Sequence, residues 1–442
     1  MLLSLAISNY RSFKDEAVLD LQRRSFNTLR PREGQTWQEN TWRRAAIFGA
    51  NASGKSNFLR PLGLLNQAVK HSLANEATTR SLFDPHLRHT TTPTSFELEY
   101  VSEDVRYRWT LVLDRDGIAE ESLYANPSSH FRKVFRRERG EVSFGNNLGL
   151  SPAARENIAQ FMRPWALTMS AWRTVKDPGV YASALNWWNT LLPLILSDES
   201  DQSLRHQWLV QLVQEDPKWL SALRSVVAVA DVGIDDIDVA EHAPEAIHQI
   251  QFEISSDGKA EIKTLDPAEI NEYLRYLLFV HGSGDSTFSL PEEQESKGTR
   301  TWLNLAIPAL FALTVGGVLT VDEIDGSLHP MLVRELVSYF ASEELNPLGA
   351  QLLFSTHDVT LLGKHPNPAL ERGEVWFVEK VNSSSELIAL DEFPVRDAHN
   401  VEKRYLQGNY GAVPLVDPSQ LQLTLDDLRS DYLKAVPNKT TE

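Results

Sequence analysis

The sequence predicts an α/β fold in which a mixed sheet with covering helices carries a phosphate-binding loop, extended by an antiparallel β arm and a helical insertion. Three observations lead to this prediction. A glycine-rich loop near the amino terminus stands between an apolar strand and a helical pattern. After it, polar and apolar residues alternate, and a helical period then fills the middle of the chain. The last third alternates helices with apolar strands, which favours a parallel or mixed sheet.

The glycine-rich loop at 49–56 fits G-x-x-x-x-G-K-[ST] at every constrained position. Residues 45–48 before it predict a short buried strand, and a helical pattern begins at Asn57. In such a strand–loop–helix unit, backbone N–H groups close around phosphate oxygens, and the helix N-terminus adds favourable partial charge. Lys55 would reach the β- and γ-phosphates, and Ser56 would hold Mg²⁺. The residues expected to bind nucleotide are Gly49, Asn51, Ser53, Gly54, Lys55, Ser56 and Asn57.

Composition limits the classes of protein to which this chain can belong. Its 442 residues can form two or three lobes, and no apolar run approaches the roughly 18 residues that a membrane span needs. Cysteine is absent, which excludes disulfides, Cys-ligated zinc and thiol catalysis. Residues 1–5 predict a first strand and lack the features of a signal peptide, so we expect a soluble, cytoplasmic protein. The net charge of −17 argues against a surface built for non-specific nucleic-acid binding.

The first two predicted segments are an N-terminal lobe at 1–150 and a helical insertion at 151–245. Within the lobe, the alternation from Phe96 to Phe144 predicts a run of antiparallel strands, with turn signals at 114–117 and 126–127. Within the insertion, apolar residues recur at helical spacing. Examples are Leu185, Trp188, Leu191 and Leu192.

A C-terminal lobe is predicted at 246–415 and a tail at 416–442. This lobe carries the acidic residues of the predicted site. An apolar strand at 317–321 ends in Asp322 and Glu323. Asp322 would hold Mg²⁺ through its water shell, and Glu323 would polarise the attacking water. Because many strands finish at a polar loop, a helix-capping role for Asp322 stays open as the alternative.

Two further features complete the predicted site. Ser296 and Gly298 stand at the start of a helix, where a hydroxyl and backbone amides form a second anion site. Residues 352–356 predict a buried strand that ends at His357, whose imidazole would be placed to hydrogen-bond the γ-phosphate or the attacking water. Each feature alone is a weak signal. Their order along the chain makes them informative: phosphate loop, Ser-x-Gly, Asp-Glu and strand-end His.

The basic stretch at 130–139 allows two interpretations. Its five cations and two interleaved phenylalanines suit a nucleic-acid backbone or an acidic partner protein. Phe131, Val134 and Phe135 equally fit the buried side of a hairpin with a solvated charged face. We favour the hairpin.

The order of these motifs resembles that of ABC-type ATPases, the group that includes Rad50, SMC and RecF proteins, with 49–56 as the Walker A loop. It is more closely similar to the soluble ATPases of the OLD and RloA class found in bacterial antiphage systems. The resemblance spans nearly the whole chain, whereas 71–290 is similar only in general layout. The residues that carry it are 9–13, 49–56, 295–299, 322–330, 355–358, 374–380 and 405–414.

The resemblance implies an ABC-type ATPase head that binds ATP and Mg²⁺ between two copies of the chain. Ser296 and Gly298 of one copy would cap the γ-phosphate held by Lys55 of the other, so we expect a homodimer or a higher homo-oligomer. Asp325 would lie across that interface. Arg11 would approach the phosphates, with a solvated strand-end arginine as the alternative. The catalytic residues predicted in this way are Lys55, Glu323 and His357.

Departures from these families narrow the implied role. No Q-loop glutamine is evident, since Gln67 lies in the first helix, and the segment after Lys380 lacks the Glu and Asp-x-Asp cluster of a Toprim nuclease. We therefore expect a sensor or regulatory ATPase of an antiphage system. It would control a separate effector, a Toprim-like or other nuclease, in response to a nucleic-acid or phage-protein trigger. Two alternatives stay open: a RecF- or SMC-like ATPase of DNA repair, and a nucleotide-binding scaffold with little turnover.

Overall fold

The computed structural model is a mixed α/β molecule with a parallel-rich sheet and an antiparallel sheet, which confirms the predicted fold class. In the part of the chain that it describes, no helix is both long and apolar enough to cross a membrane. The residues described are 1–195, 208–209, 211–213, 216–230, 233–241, 251–254, 260–263, 275–282, 287–365, 367–394, 400–413 and 419–435.

The strands of the described chain are numbered in sequence order. They are β1 (Leu2–Ser8), β2 (Ala17–Asp20), β3 (Arg44–Phe48), β4 (Thr94–Ser102), β5 (Val105–Asp114), β6 (Gly117–Asn126), β7 (Arg132–Glu138), β8 (Glu141–Phe144), β9 (Leu191–Ile195), β10 (Asp236–Glu241), β11 (Gln251–Ile254), β12 (Ala260–Lys263), β13 (Arg275–His281), β14 (Phe288–Pro291), β15 (Val318–Asp322), β16 (Gln351–Thr356), β17 (Val375–Val381) and β18 (Ser384–Ala389).

The helices are numbered in the same way, and short 3-10 turns stand between several of these elements. The helices are α1 (Lys55–His71), α2 (Ala77–Arg80), α3 (Pro152–Gln160), α4 (Thr168–Trp172), α5 (Ser183–Asn186), α6 (Lys218–Ala230), α7 (Lys297–Val315), α8 (Pro330–Ala341), α9 (Val401–Leu406) and α10 (Ser419–Ala435). The 3-10 turns are Gln38–Asn40, Trp187–Asn189, Glu292–Gln294, Val359–Leu362, Arg372–Glu374 and Leu390–Glu392.

The mixed sheet has the strand order β18-β17-β3-β16-β15-β9. Neighbouring strands from β17 to β9 are parallel, and β18 alone in this sheet is antiparallel to its neighbour. Every residue of β3 and β16 is buried, because helices or a second sheet cover both faces. This explains why residues 45–48 of β3 and 352–354 of β16 are continuous apolar runs in the sequence instead of alternating ones.

The two faces of the mixed sheet enter two different cores. In β3, Ala45 and Ile47 face the core shared with α1 and the antiparallel sheet, whereas Ala46 and Phe48 face the core shared with α7 and α8. The same alternation separates Leu353 from its neighbours in β16. The period of two along each strand therefore divides the molecule into layers on either side of this sheet.

The antiparallel sheet has the order β2-β1-β4-β5-β6-β7-β8 and contains the predicted arm. Its strands β4 to β8 follow one another as hairpins, which confirms the strand run predicted between Phe96 and Phe144. Trp187 and Trp188 pack on this sheet, with their rings against Tyr100 and, for Trp188, also Trp109. Smaller sheets are formed by β10-β13-β14 and by the hairpin β11-β12.

The helical period predicted through Leu191 and Leu192 is wrong, because these residues begin strand β9. A short apolar run fits either a buried helix or a buried strand, and periodicity alone does not separate them. Here β9 pairs in parallel with β15, from Leu191 opposite Val318 to Ile195 opposite Asp322. The segment predicted as a helical insertion thus supplies an edge strand of the mixed sheet, and its boundaries stay a prediction.

Part of the predicted C-terminal tail is helical. Within the tail predicted at 416–442, α10 spans Ser419–Ala435, and 436–442 lie outside the described residues.

Gln351 ties the first strand of the antiparallel sheet to the mixed sheet. It is fully buried at 0% exposure, at the start of β16. Its Oε1 accepts from the backbone N–H of Leu2 at 2.6 Å, and its Nε2 donates to the carbonyl oxygens of Leu2 at 2.9 Å and Trp42 at 3.1 Å. One side chain thus hydrogen-bonds to three backbone groups, two on Leu2 of β1 and one on Trp42 just before β3.

Replacing Gln351 with leucine should lower the free energy of unfolding by about 2–4 kcal/mol, since each buried backbone group left unpaired costs about 1–3 kcal/mol. Guanidinium unfolding followed by circular dichroism measures the change. Gln67→Leu, at an exposed position of α1, is the matched control and should change stability little. Equal stability of the two variants would contradict the role given to Gln351.

Candidate phosphate-binding site

The glycine-rich loop connects the end of β3 to the start of α1, as the sequence predicts. Gly54 has φ +121°, and a Cβ atom there would lie 2.5 Å from Ser385 Oγ. A Cβ atom on Gly49 would lie 2.6 Å from both Ser53 Oγ and the carbonyl oxygen of Val378. Both positions require glycine, because the loop backbone approaches its neighbours too closely for a side chain.

The remaining loop side chains place polar groups at the start of α1. Ser53 is buried, and its hydroxyl has no hydrogen-bond partner among the described residues. Asn51 and Ser56 are exposed. An uncommitted buried hydroxyl beside a helix N-terminus suits a phosphate group, which accepts hydrogen bonds and carries negative charge.

The Lys55 ammonium lies within the same loop. Its Nζ donates to the carbonyl oxygens of Gly49 at 2.9 Å and Ala50 at 3.2 Å, and it lies 3.0 Å from His357 Nε2. Because an ammonium can only donate, His357 Nε2 is the acceptor, and the proton of this imidazole is on Nδ1. The contact joins the phosphate loop to the end of β16.

Three carboxylates act on this ammonium. Burial lowers the pKa of Lys55, whereas the charges of Asp322, Glu323 and Asp325 act in the opposite direction. The lysine follows β3 and the acidic residues end or follow β15, and both strands pair with β16, which ends before His357. Because parallel strands have their carboxyl ends at one edge of the sheet, these residues from distant parts of the sequence meet there.

Ser355 joins the two acidic residues, a role that the sequence prediction did not assign. Its Oγ donates to Asp322 Oδ1 at 2.5 Å and accepts from the backbone N–H of Glu323 at 2.8 Å. The residue is fully buried at 0% exposure. Its position two residues before His357 is the available sequence signal, since residues i and i+2 of a strand share a face.

Glu323 adopts a left-handed backbone conformation with φ +55°, which is uncommon for a residue other than glycine. Besides the bond to Ser355 Oγ, the backbone N–H of Ile324 donates to the Ser355 carbonyl at 3.0 Å, and Gly326 N–H donates to the Glu323 carbonyl at 3.0 Å. Strain of this kind costs about 1–3 kcal/mol and persists where the surroundings fix it. The sharp turn leaves the Glu323 side chain exposed at the strand end.

Asp325 fixes the start of the loop after β16. Both of its carboxylate oxygens accept from the backbone N–H of His357, at 3.2 and 3.3 Å. Burial and then the positive charge of Lys55 lower the pKa of His357, while Asp325, Glu323 and Asp322 oppose the shift. The imidazole is therefore held in its neutral form beside the ammonium, in agreement with the direction of their hydrogen bond.

The donor set of this site fits Mg²⁺. Asp322 keeps one carboxylate oxygen, Oδ2, without a hydrogen bond from the described residues, and Ser56 presents an exposed hydroxyl at the start of α1. Within the described ranges, no group of three His, Cys, Asp or Glu side chains could hold a metal ion unaided. Mg²⁺ is commonly bound by one or two protein ligands together with phosphate and water, and these residues suit that arrangement.

Comparison with protein families agrees with this geometry. The family described as "AAA domain, putative AbiEii toxin, Type IV TA system" matches residues 44–363, from the strand before the loop to the turn after His357. The chain belongs to this family. It is accordingly an ATPase of the P-loop type.

Comparison with solved structures finds SMC heads. The SMC head domain from Thermotoga maritima is 12% identical, with a TM-score of 0.40 over 88% of this chain and 98% of that chain. The SmcHead bound to the C-winged helix domain of ScpA gives the same values. The Smc head domain with an extended coiled coil, bound to the C-terminal domain of ScpA derived from Pyrococcus furiosus, is 9% identical, with a TM-score of 0.35 over 88% and 97%. Similarity this low bears on neither function nor partners. No curated protein matches the chain.

Arg11 of this AAA-domain protein lies beside the phosphate-loop helix. Its Nη1 donates to Asn57 Oδ1 at 3.3 Å, and its Nε lies 2.9 Å from Asp84 Oδ2. Asn57 in turn donates to Ser12 Oγ at 3.0 Å, and the Ser12 carbonyl accepts from Ser385 N–H at 2.7 Å. The Ser385 hydroxyl donates to the carbonyl of Ser53. Arg11 thus belongs to a network of polar contacts that leads to the phosphate loop. Its side chain is only partly exposed.

Ser296 and Gly298 lie at the N-terminal end of α7. The Ser296 hydroxyl caps α7 by accepting from Thr299 N–H at 3.1 Å, and it lies 2.8 Å from Thr299 Oγ1. A Cβ atom on Gly298 would lie 3.4 Å from the carbonyl of Ser327, in the turn after Asp325. Among the described residues, neither Ser296 nor Gly298 hydrogen-bonds to Lys55. Their predicted role across a dimer interface stays a prediction.

The basic stretch at 130–139 forms a hairpin strand, as favoured above. Val134 and Phe135 are each 1% exposed, and the Arg137 guanidinium is buried, where it donates to the carbonyls of Ala166 and Arg163. These contacts attach β7 to the segment before α4. Phe135 and one of the five cations, Arg137, thus serve the core of the arm, whereas Phe131 lies before β7 and is only half-buried.

Replacing Ser355 with alanine should lower Mg²⁺-dependent ATP hydrolysis by about 10- to 100-fold, the usual cost of removing a group that orients a metal ligand. The loss should appear in phosphate release measured over a range of Mg²⁺ concentrations. Ser338→Ala, which removes a hydroxyl from the exposed part of α8, is the control. Unchanged hydrolysis in Ser355→Ala would show that Asp322 needs no such support.

Replacing Gly54 with alanine should weaken binding of a fluorescent ATP analogue by about tenfold or more. The new Cβ would meet Ser385 Oγ at 2.5 Å and Ser12 Oγ at 2.8 Å, in a backbone conformation that costs a non-glycine residue about 1–3 kcal/mol. Gly140→Ala is the control, since nothing lies within 4 Å of a Cβ atom there. Equal affinities in the two variants would contradict the geometry given to the loop.

Proposed function

We propose that this protein hydrolyses ATP with Mg²⁺ at a site completed by a second copy of the chain. The observation that carries the proposal is the convergence of Lys55, Asp322, Glu323 and His357 at one sheet edge. The Ser296 end of α7, which has the chemistry to bind an anion, makes its side-chain hydrogen bonds only to Thr299 among the described residues. A second copy is a natural source of the phosphate that this helix end would bind.

Each residue of the site has a distinct task in this proposal. Lys55 and the loop amides stabilise the negative charge of the β- and γ-phosphates. Asp322 and Ser56 hold Mg²⁺, which supplies further charge neutralisation when bound. Glu323 accepts a proton from the attacking water, and its exposed side chain at the strand end can reach solvent. His357, neutral and bonded to Lys55, responds to the group that occupies the γ-phosphate position.

We further propose that hydrolysis serves as a switch in an antiphage system, with this chain as the sensor or regulatory subunit. The description of its family as a putative AbiEii toxin of a type IV toxin–antitoxin system supports a link to controlled toxicity. Release of the effector would follow detection of a trigger by the nucleotide-bound assembly.

Replacing Glu323 with glutamine should lower ATP hydrolysis by about 100-fold or more, because a positioned general base contributes about 10²–10⁴-fold. The same variant should accumulate as an ATP-bound dimer, measured by light scattering after size-exclusion chromatography with and without ATP. Glu343→Gln, at an exposed position after α8, is the control. Normal turnover in Glu323→Gln would exclude Glu323 as the base, and a monomer in the presence of ATP would exclude the shared site.

The trapped Glu323→Gln protein also tests the proposed role. Expressed with the product of the neighbouring gene, it should retain that protein in an ATP-dependent complex and keep its toxicity silent. Strong stimulation of the wild-type ATPase by duplex or gapped DNA, without any such partner, would favour a DNA-maintenance ATPase instead.

A further inference from the structure

A half-buried histidine, His281, lies next to the N-terminal end of α7. The His281 Nδ1 atom is 2.7 Å from the carbonyl oxygen of Gly233, and its Nε2 atom is 2.6 Å from Glu295 Oε1. Both partners are acceptors. An imidazole that donates from both nitrogens is doubly protonated, so we assign His281 as a cation paired with the Glu295 carboxylate.

This ion pair is only partly exposed to water. The side chains of His281 and Glu295 are 14% and 6% exposed, and the Phe288 ring stacks on the imidazole at 5.1 Å with an interplanar angle of 10°. Burial lowers the pKa of His281, but the hydrogen bonds to Glu295 and Gly233 and the charges of Glu295 and Asp235 raise the pKa by more, so that the net shift is upward. The pair connects β13 and β14 to the chain that enters α7.

The position of Glu295 connects the ion pair to the N-terminus of α7. Glu295 directly precedes Ser296, the N-cap of α7. A carboxylate at a helix N-terminus interacts favourably with the same amide groups and partial charge that would bind a phosphate. An unrestrained Glu295 would therefore compete with a phosphate for this helix end and repel it. Its hydrogen bond to His281 directs the carboxylate toward β13 and neutralises its charge.

We propose that His281 is a positioning residue that keeps Glu295 off the N-terminus of α7, so that Ser296 and Gly298 can accept the γ-phosphate of ATP bound to a second copy of the chain. The inference rests on the proposed function, because it requires that ATP bound to a second copy reaches this helix end. His281 itself lies outside the shared site. His281 touches neither nucleotide nor Lys55 in this arrangement. It acts only through Glu295.

The ion pair makes assembly depend on pH in a defined direction. Because the folded-state pKa of His281 is raised, the pair is fully formed below the ordinary histidine value and is lost as pH rises through the raised pKa. Within the described chain, the charged groups acting on His281 are Glu295, before α7, and Asp235, before β10. ATP-dependent dimers should accordingly weaken as the solution becomes alkaline.

The experiment measures the ATP-dependent dimer dissociation constant in the Glu323→Gln background from about pH 6 to about pH 9, a range that spans ordinary and raised histidine pKa values. The parent should lose about tenfold in affinity across this range, the equivalent of one charged hydrogen bond. His281→Ala should be about tenfold weaker than the parent at the low end and nearly flat. His281→Gln combined with Glu295→Gln keeps a neutral hydrogen bond and should restore affinity without the pH slope.

A matched control and a kinetic readout separate positioning from general stability. His329→Asn removes an exposed histidine but retains an N-cap on α8, where His329 Nδ1 accepts from Met331 N–H at 3.2 Å, and should leave both affinity and slope unchanged. In chains with Glu323 intact, His281→Ala should raise the protein concentration needed for half-maximal hydrolysis and leave the rate of fully formed dimers unaltered. A matching loss in that rate would point to a general structural defect and overturn the inference.

Failure of the inference is distinguishable from failure of the proposed function. The titration of His281, followed by NMR in the protein without ATP, tests the ion pair alone, and Glu295→Gln should bring its pKa down. An ordinary His281 pKa in the parent would overturn the pair. A second outcome is a raised His281 pKa that Glu295→Gln lowers, together with no ATP-dependent dimer at any pH. This outcome would refute the shared site and, with it, the task given to His281. A dimer whose pH slope persists in His281→Ala would refute the inference and leave the shared site standing.

Discussion

Parallel pairing of β3, β16 and β15 is the interaction on which the remaining structure depends. The three strands come from distant parts of the chain, and their alignment places the phosphate loop, the strand-end histidine and the acidic pair at one edge. Both faces of these strands are buried, so the register is fixed by two cores at once. A shift of one residue would exchange the two faces and move Asp322 away from Lys55.

Single polar side chains connect the layers around this sheet. Gln351 joins it to β1, Ser355 joins the ends of β15 and β16, and Ser385 links β18 to the phosphate loop. Each of these three side chains is fully or nearly fully buried, and each uses its polar atoms in hydrogen bonds. Apolar contacts provide most of the stability of such layers, whereas these hydrogen bonds specify how the layers are aligned. A few buried polar groups therefore determine how precisely the site residues are positioned at this edge of the sheet.

Local pattern was sufficient to predict much of the fold and the residues that meet at the sheet edge. The loop at 49–56, the strands before Asp322 and His357, and the hairpins of the arm each carry a signal within a dozen residues. Ser355 and Ser385 escaped prediction because their partners lie 33 and 332 residues away in the sequence. His281 was missed because its pairing with Glu295 and Gly233 exists only in the folded chain. The error at Leu191 has another origin: a five-residue apolar run has too few residues for a period of 3.6 to be told from a buried strand.

The hydrogen bonds of Lys55 turn nucleotide binding into an exchange reaction. An ammonium has three N–H donors, and here they are matched by the carbonyls of Gly49 and Ala50 and by the His357 imidazole. A phosphate oxygen that approaches Lys55 must displace at least one of these acceptors, so measured affinity is the difference between two sets of bonds. If the imidazole is displaced, the loop after β16 loses its contact with Lys55 as the site fills and keeps only the backbone bonds to Asp325. Occupancy of the phosphate loop and freedom of the His357 segment are then thermodynamically linked, and whatever binds that segment must alter the affinity for nucleotide by the same factor.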